Sequence, residues 1–126
     1  IPMSNLNIQL GELGKPYLPT FPHIHFNVSH SGNYVICAFF ESPIGIDIQT
    51  ILSYKEKIAK RILPPEKIRE IEESKTPDML FTQYWSEKEA LLKMVGCGFS
   101  GDVNENDVVF KRKTIITDHY VISLAY

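Results

Sequence analysis

The hydrophobic pattern of the first forty residues predicts a loop followed by two short β-strands. Residues 1–24 contain four prolines and predict a loop or arm, with one short strand at residues 6–10. Phe26 and Val28 then alternate with polar neighbours, as in a half-buried strand. After a Ser-Gly-Asn turn signal, residues 34–40 form an unbroken apolar run, which predicts a buried strand.

A third strand is predicted at residues 44–48, where every second residue is isoleucine. The period of two places Asp47 and Gln49 on the same face of this strand, opposite the isoleucines. This face therefore carries a carboxylate with an amide beside it.

The middle of the chain has the period of α-helices. Ser53 and Glu56 fit a capping box at the start of a first helix. Two adjacent prolines would end that helix, and Pro65 would open a second one. A third helix is predicted over Pro77–Val95, behind a threonine N-cap and with Gly96 at its C-terminal end.

The last part of the chain predicts further strands. Two short strands, at residues 108–110 and 114–117, would flank a basic turn at residues 111–113. Residues 119–126 alternate as a final strand does. Their Tyr-Val-Ile segment repeats the start of the apolar run at residues 34–40. A duplicated module would explain this echo, and chance similarity between two strands is the alternative.

Composition and charge exclude several classes of protein. The chain has 126 residues, 44% of them apolar, and a formal net charge of −2. These values suit one globular domain and exclude a disordered chain or a uniformly basic nucleic-acid binder. No apolar run approaches the roughly 20 residues that a membrane helix needs. Cys37 and Cys97 match no zinc spacing and indicate free thiols. We therefore expect a cytoplasmic protein with no nucleic-acid or membrane partner.

The predicted fold class is α+β, with the third helix packed on a small antiparallel sheet. The predicted core face of this helix consists of Leu80, Phe81, Tyr84, Trp85, Leu91, Leu92 and Val95. Lys88 falls inside this face, where its charge needs a partner such as a phosphate, unless its stem carries the charge to solvent. Glu89 and Lys93 lie at the edge of the face, and an ordinary i, i+4 ion pair is the alternative to a site.

Five polar residues could together perform chemistry on a pyrophosphate. Asp47, Gln49 and Glu89 offer oxygen atoms to a metal ion. Mg²⁺ typically takes one or two protein carboxylates and fills its shell with water and substrate phosphates. Lys88 and Lys93 would then hold the remaining phosphate charge.

Five motifs, in order and spacing, resemble those of the 4′-phosphopantetheinyl transferases. They are Gly-Lys-Pro at 14–16, Phe-Asn-Val-Ser-His-Ser at 26–31, Gly-Ile-Asp-Ile at 45–48, Trp-Ser-Glu-Lys-Glu-Ala-Leu-Leu-Lys at 85–93 and Gly-Cys-Gly-Phe-Ser at 96–100. The chain resembles the larger, surfactin-synthetase-activating type more closely than the short holo-ACP synthase type.

The resemblance implies Mg²⁺-dependent transfer of the phosphopantetheine arm of coenzyme A (CoA) to a carrier protein. The serine hydroxyl of an acyl- or peptidyl-carrier protein would attack the β-phosphorus of CoA and release adenosine 3′,5′-bisphosphate. The carrier could serve fatty acid, polyketide or nonribosomal peptide biosynthesis. One alternative is a non-catalytic fragment or degenerate homologue that binds CoA or carrier protein without turnover. Another is a plain Mg²⁺-nucleotide binder.

The resemblance also implies roles for the five polar residues. Asp47 and Glu89 would hold the metal, and Glu89 would help to deprotonate the carrier serine. Gln49 stands where the family often has a second acidic residue, and its amide oxygen could still ligate the metal or orient one of its waters. Lys93 would contact the phosphate, and Lys88 would lie next to the site.

Further positions would contact CoA or the carrier protein. Ser29 and His30 would touch the 3′-phosphate region of CoA, and Lys15 would lie near its adenosine end. Without the resemblance, Ser29 and His30 would be a strand end capped by a hydroxyl. The stretch after Gly96 would help to receive the carrier, with Phe99 as an apolar contact.

The larger members of the family are pseudo-dimers of two α+β halves with CoA bound between them. By this resemblance, residues 1–43 would be the end of the first half-module, and residues 44–126 would be the second half-module with the metal site. The first half is then expected to be incomplete. Either the natural chain is longer, or self-association restores the cleft.

Overall fold

The computed structural model of the chain describes residues 9–10, 16–17, 19, 21, 23–96 and 105–126. Its elements are β1 (Gln9–Leu10), β2 (Pro16–Tyr17), β3 (His25–Ser31), β4 (Tyr34–Phe40), β5 (Gly45–Thr50), α1 (Glu56–Ile62), α2 (Pro65–Glu73), α3 (Pro77–Val95), a short 3-10 helix (Glu105–Asp107), β6 (Arg112–Ile116) and β7 (Tyr120–Ala125). The α+β class is confirmed. Of the strand predicted at residues 6–10, only residues 9–10 fall within the described part.

All strand pairs in the described part of the chain are antiparallel, and they form three small sheets. β1 pairs with β2, β3 pairs with β4, and the third sheet has the order β5-β7-β6. The predicted turn between β3 and β4 is confirmed, with Gly32 at a φ of 56°. β3 lies along the edge of β5 that does not pair with β7, and α3 packs on a face of the three-stranded sheet, against β5 and β7.

The buried face of α3 differs from the predicted one. Its buried residues are Phe81, Thr82, Ser86, Glu87, Ala90, Leu91 and Leu92. The predicted core residues Leu80, Tyr84, Trp85 and Val95 are only partly buried, and so is Lys88. The helix has turned its small residues to the sheet because its backbone approaches β5 closely. A Cβ atom at Gly45 would lie 1.8 Å from the carbonyl oxygen of Ala90.

Within the described residues, no helix is long and apolar enough to cross a membrane.

The predicted capping box at the start of α1 is wrong. The helix begins at Glu56, and its N-cap residue Lys55 makes no side-chain cap bond. The segment before it stays extended because it is hydrogen-bonded to α3. The backbone N–H of Leu52 donates to Thr82 Oγ1 at 2.8 Å, and that of Tyr54 donates to Asp78 Oδ1 at 2.8 Å.

The other predicted helix ends are confirmed. α2 begins at Pro65, and α3 spans Pro77–Val95 and ends at Gly96 in the left-handed conformation, with a φ of 82°. Thr76 is the N-cap of α3 by position, but its side chain makes no cap bond. Proline and glycine therefore marked these boundaries better than the hydroxyl residues did.

β4 has the predicted bounds but is not buried as predicted. Val35 is 73% exposed and Phe39 is 57% exposed. Only one face of the hairpin packs on the three-stranded sheet, where the rings of Tyr34 and Tyr120 lie 4.9 Å apart. On the opposite face Phe26 is buried and its ring stacks on Phe39, while Val28 and Val35 stay exposed.

The basic residues near the end of the chain do not form the predicted turn. Residues 108–110 are not a strand, and β6 begins at Arg112. The backbone groups of Lys111 and Tyr126 exchange hydrogen bonds and extend the β6–β7 pairing by one pair. The final strand is confirmed as β7, and its residues Val121, Ser123 and Ala125 are buried on the α3 side.

Candidate functional site

Asp47 is a buried carboxylate at the junction of β3, β5 and α3. Its side chain is on the predicted face of β5 with Gln49, whose Nε2 donates to Oδ2 at 3.0 Å and to Oδ1 at 3.3 Å. Lys93 Nζ of α3 lies 3.7 Å from Oδ1. Asp47 is only 2% exposed. Burial raises the pKa of Asp47, and the bonds from Gln49 and the charge of Lys93 offset part of this rise.

Lys93 ties the helix to both neighbouring strands. Besides its ion pair with Asp47, its Nζ donates to the carbonyl oxygen of Ile46 on β5 at 3.1 Å and to that of Val28 on β3 at 3.4 Å. Its side chain is 28% exposed, so Lys93 is not closed off from solvent. A partly open cation next to a carboxylate can contact an anionic substrate that enters the same place.

Glu89 lies one helical turn before Lys93 on α3 and is half-buried. Its pKa is raised to about 7, first by burial and second by the negative charge of Asp47, while Lys93 acts in the opposite direction. The two carboxylates, one on β5 and one on α3, therefore repel each other electrostatically. Near neutral pH, Glu89 exists in both protonation states and can accept or release a proton.

The two residues of the Ser-His pair face opposite sides of β3. Ser29 is buried, and its Oγ accepts a hydrogen bond from the Ile48 N–H at 3.1 Å and donates to Asp47 Oδ1 at 3.4 Å. His30 is exposed on the other face. The Ser29 hydroxyl thus belongs to the Asp47 site, whereas the His30 ring is open to a ligand.

The donor atoms present fit a divalent cation of the Mg²⁺ kind. Asp47 and Glu89 supply two carboxylates, and Gln49 has an amide oxygen beside them. Burial raises the pKa of both carboxyl groups, and a bound cation would favour their ionised forms. No group of three His, Cys, Asp or Glu side chains suited to a metal occurs in the described ranges. Mg²⁺ does not need one when substrate phosphates complete its shell.

The sequence model of the 4′-phosphopantetheinyl transferase superfamily matches residues 43–121. This chain belongs to that superfamily. The matched region runs from just before β5 into the first residues of β7, so it contains Asp47, Glu89 and Lys93.

Several curated proteins similar to this chain are named 4′-phosphopantetheinyl transferases. A 4′-phosphopantetheinyl transferase of Bacillus subtilis is 39% identical over 100 residues, which are 77% of this chain and 44% of the relative. The transferase Sfp of Bacillus subtilis strain 168 is 38% identical over 99 residues, 77% of this chain and 44% of Sfp. The transferase gsp of Aneurinibacillus migulanus is 32% identical over 106 residues, 82% of this chain and 44% of gsp. The chain thus spans about half the length of the curated relatives it matches. The similarity to Sfp confirms the resemblance to the larger type.

The structure brings together most of the residues predicted for the site. Asp47, Gln49, Glu89, Lys93 and Ser29 meet where α3 crosses β5. Lys88 is partly buried on α3, next to Glu89 in the sequence. Lys15 and Phe99 lie outside the described residues.

The sequence analysis missed two buried polar residues on the sheet side of α3. Ser86 Oγ donates to the carbonyl oxygen of Asp47 at 3.4 Å. Glu87 accepts a hydrogen bond from Thr114 Oγ1 at 3.2 Å and lies 3.8 Å from Arg112 Nε, which ties α3 to β6. A signal existed, because small residues recur every four positions along this helix, at Thr82, Ser86 and Ala90. Such a stripe indicates a helix face that approaches its neighbour closely.

The raised pKa of Glu89 predicts how the stability of the metal-free protein depends on pH. Between about pH 4.5 and 7, folded Glu89 binds more protons than unfolded Glu89, so the free energy of unfolding falls as the pH rises. We expect Glu89→Gln to raise Tm by about 4 °C at pH 8 in EDTA, corresponding to about 1 kcal/mol for a half-buried group. At pH 4.5 the two proteins should melt at nearly the same temperature. An equal shift at both pH values, measured by circular dichroism, would contradict this prediction.

Proposed function

We propose that the chain carries the metal-binding half of a 4′-phosphopantetheinyl transferase. The enzyme would transfer the phosphopantetheine arm of CoA to a serine of an acyl- or peptidyl-carrier protein and release adenosine 3′,5′-bisphosphate. The observation that carries this proposal is the position of Lys93 Nζ, 3.7 Å from Asp47 Oδ1, with Glu89 one helical turn before Lys93 on α3. Two carboxylates and a partly open cation suit a metal-bound pyrophosphate.

In the proposed mechanism, Asp47 and Glu89 hold Mg²⁺, and Gln49 would need to turn its amide oxygen toward the ion to join them. When bound, the metal neutralises charge on the pyrophosphate. Lys93 binds the pyrophosphate oxygens. Ionised Glu89 accepts the proton of the carrier serine, directly or through water. A bond forms between the serine oxygen and the β-phosphorus, and the bond from that phosphorus to the bridging oxygen breaks.

Other residues are proposed to bind the rest of CoA. His30 is exposed on the other face of β3 and is proposed to contact the 3′-phosphate region together with Ser29. Lys15 is proposed near the adenosine end, and Lys88 near the phosphates.

The proposed division into half-modules, 1–43 and 44–126, is supported by the sheets. The hairpin of β3 and β4 shares no strand with the sheet of β5, β6 and β7. A cleft between two such halves would bind CoA, as in a pseudo-dimer, and self-association is a second way to form it. The division into half-modules, the CoA cleft, the self-association and a cytoplasmic location stay predictions.

A second candidate function is binding of CoA or carrier protein without turnover. One observation favours it, the amide of Gln49 where the family often has a second acid. Thermal shift assays separate ligand classes here, because a ligand that binds the folded state raises Tm. A plain nucleotide binder would be stabilised by ATP as strongly as by CoA.

The decisive experiment is the mass of an apo carrier protein after incubation with this protein, CoA and Mg²⁺. We expect a gain of one phosphopantetheine on the wild-type carrier and no gain on a carrier whose acceptor serine is alanine. Glu66→Gln, a change of an exposed carboxylate on α2, serves as the matched control and should leave the gain unchanged. A Tm rise with CoA but no mass gain would favour the non-catalytic candidate.

A further inference from the structure

Three polar side chains of β3 bond to backbone N–H groups along one edge of β5. The three bonds join Asn27 Oδ1 to the Ile46 N–H at 2.9 Å, Ser29 Oγ to the Ile48 N–H at 3.1 Å and Ser31 Oγ to the Thr50 N–H at 3.1 Å. We name Asn27, Ser29 and Ser31 the polar ladder. Its spacing of two matches the alternation of a strand, so all three side chains leave β3 on the same face.

The polar ladder takes the place of a fourth strand on the three-stranded sheet. β5 pairs with β7 along its other edge, and the backbone of β3 pairs with β4. The N–H groups of Ile46 and Ile48 are in buried residues, where an unpaired donor would be costly. A shift of β3 by one residue would bring Val28 and His30 to β5, and the side chain of Val28 has no atom that could accept a bond from the N–H there. The ladder therefore sets the register between the two sheets.

Only the middle member of the polar ladder also touches the candidate metal site. Ser29 Oγ accepts from the Ile48 N–H and directs its own proton to Asp47 Oδ1 at 3.4 Å. The hydroxyl of Ser31 lies instead 3.4 Å from Thr50 Oγ1. Ser29 is 4% exposed, so its hydroxyl is shielded from competing water. One hydroxyl thus joins the fixed backbone of β5 to the carboxylate of Asp47.

We infer that Ser29 is a positioning residue that orients the Asp47 carboxylate for a divalent cation. The inference rests on the proposed function only in taking Asp47 as a cation ligand. The hydroxyl is anchored on the Ile48 N–H, and its bond to Oδ1 limits rotation of the carboxylate group. Removal of a group that orients a metal ligand typically weakens metal binding by 10- to 100-fold.

The test compares Ser29→Ala with its matched control Ser31→Ala. Each variant loses one ladder bond to β5, and we expect both to lower Tm by roughly 5 °C. Mn²⁺, titrated without CoA and followed by electron paramagnetic resonance, probes the cation site directly. We expect Ser29→Ala to weaken Mn²⁺ binding by about 10-fold and Ser31→Ala to leave it within about 2-fold. In the transfer assay, Ser29→Ala should raise the Mg²⁺ concentration for half-maximal rate more than it lowers kcat.

Two further variants separate the hydroxyl bond from general packing. Ser29→Thr keeps the hydroxyl and should restore Mn²⁺ affinity, whereas Ser29→Cys keeps only a weak donor and should bind with intermediate affinity. The cysteine variant also serves if the alanine variant does not fold. Equal Mn²⁺ affinity in Ser29→Ala and Ser31→Ala, or no recovery in Ser29→Thr, would overturn the inference. A wild-type protein that binds Mn²⁺ with these differences but transfers nothing would refute the proposed function alone.

Discussion

Replacement of Asp47 with asparagine is expected to lower the rate of phosphopantetheine transfer by roughly 10³-fold while the protein stays folded. The side chain keeps its size, but it loses the negative charge that would hold the cation between β5 and α3. The loss should appear in kcat/KM, measured as the rate of mass gain on an apo carrier protein. Because Asp47 is buried and its pKa is raised, removal of its charge should not lower Tm.

Two controls make this expectation specific. Glu41→Gln removes an exposed carboxylate six residues earlier and should change neither activity nor Tm. Glu89→Gln should lower the rate by a similar factor. The double variant of Asp47 and Glu89 should be little worse than either single variant, because the two residues act as one unit. Full activity of the Asp47 variant would exclude it as a ligand.

Gly45→Ala is expected to cause the largest loss of stability among single changes near the site. The new methyl group would lie 1.8 Å from Ala90 O and 2.5 Å from Met94 N, both backbone atoms that cannot rotate away. α3 would have to move off β5, at a cost of about 3 kcal/mol or more. For a chain of this size, Tm should fall by roughly 12 °C or the protein should fail to accumulate.

Gly32→Ala provides the matched control for this change. Gly32 has a φ of 56°, and its nearest neighbour would be a methyl group of Thr50 at 3.4 Å, an ordinary contact. Its cost is therefore backbone strain alone, about 1 to 2 kcal/mol. A Tm loss for Gly45→Ala no larger than that for Gly32→Ala, measured by circular dichroism, would show that α3 does not approach β5 so closely.

Local signals in the sequence were sufficient for most element boundaries. The period of two at residues 44–48 predicted β5 and the shared face of Asp47 and Gln49, and the structure confirms both. Pro65 and Gly96 marked helix ends because their effects act within one or two residues of backbone. The motifs at residues 45–48 and 85–93 also predicted which superfamily the chain belongs to.

Local signals failed where a partner from elsewhere in the chain decided the outcome. Ser53 does not cap α1, because the segment before that helix bonds to Asp78 and Thr82 on α3. The apolar run of β4 predicted burial, but burial depends on what lies against each face of the hairpin. The core face of α3 was predicted from the positions of its apolar residues. The close approach of α3 to β5 at Gly45 instead requires small residues on the face that contacts the sheet.

The sequence by itself determined the fold class, the superfamily and the carboxylates and lysine that would act together. Only the tertiary structure decided how they are held. It buried Asp47 under α3, placed Glu89 within range of its charge and raised the pKa of Glu89 to about 7. It also directed the Ser29 hydroxyl to β5 and Asp47. The physical reason is that desolvation and charge coupling depend on distances between β3, β5 and α3. Those distances are set by packing across long stretches of sequence, which no local pattern contains.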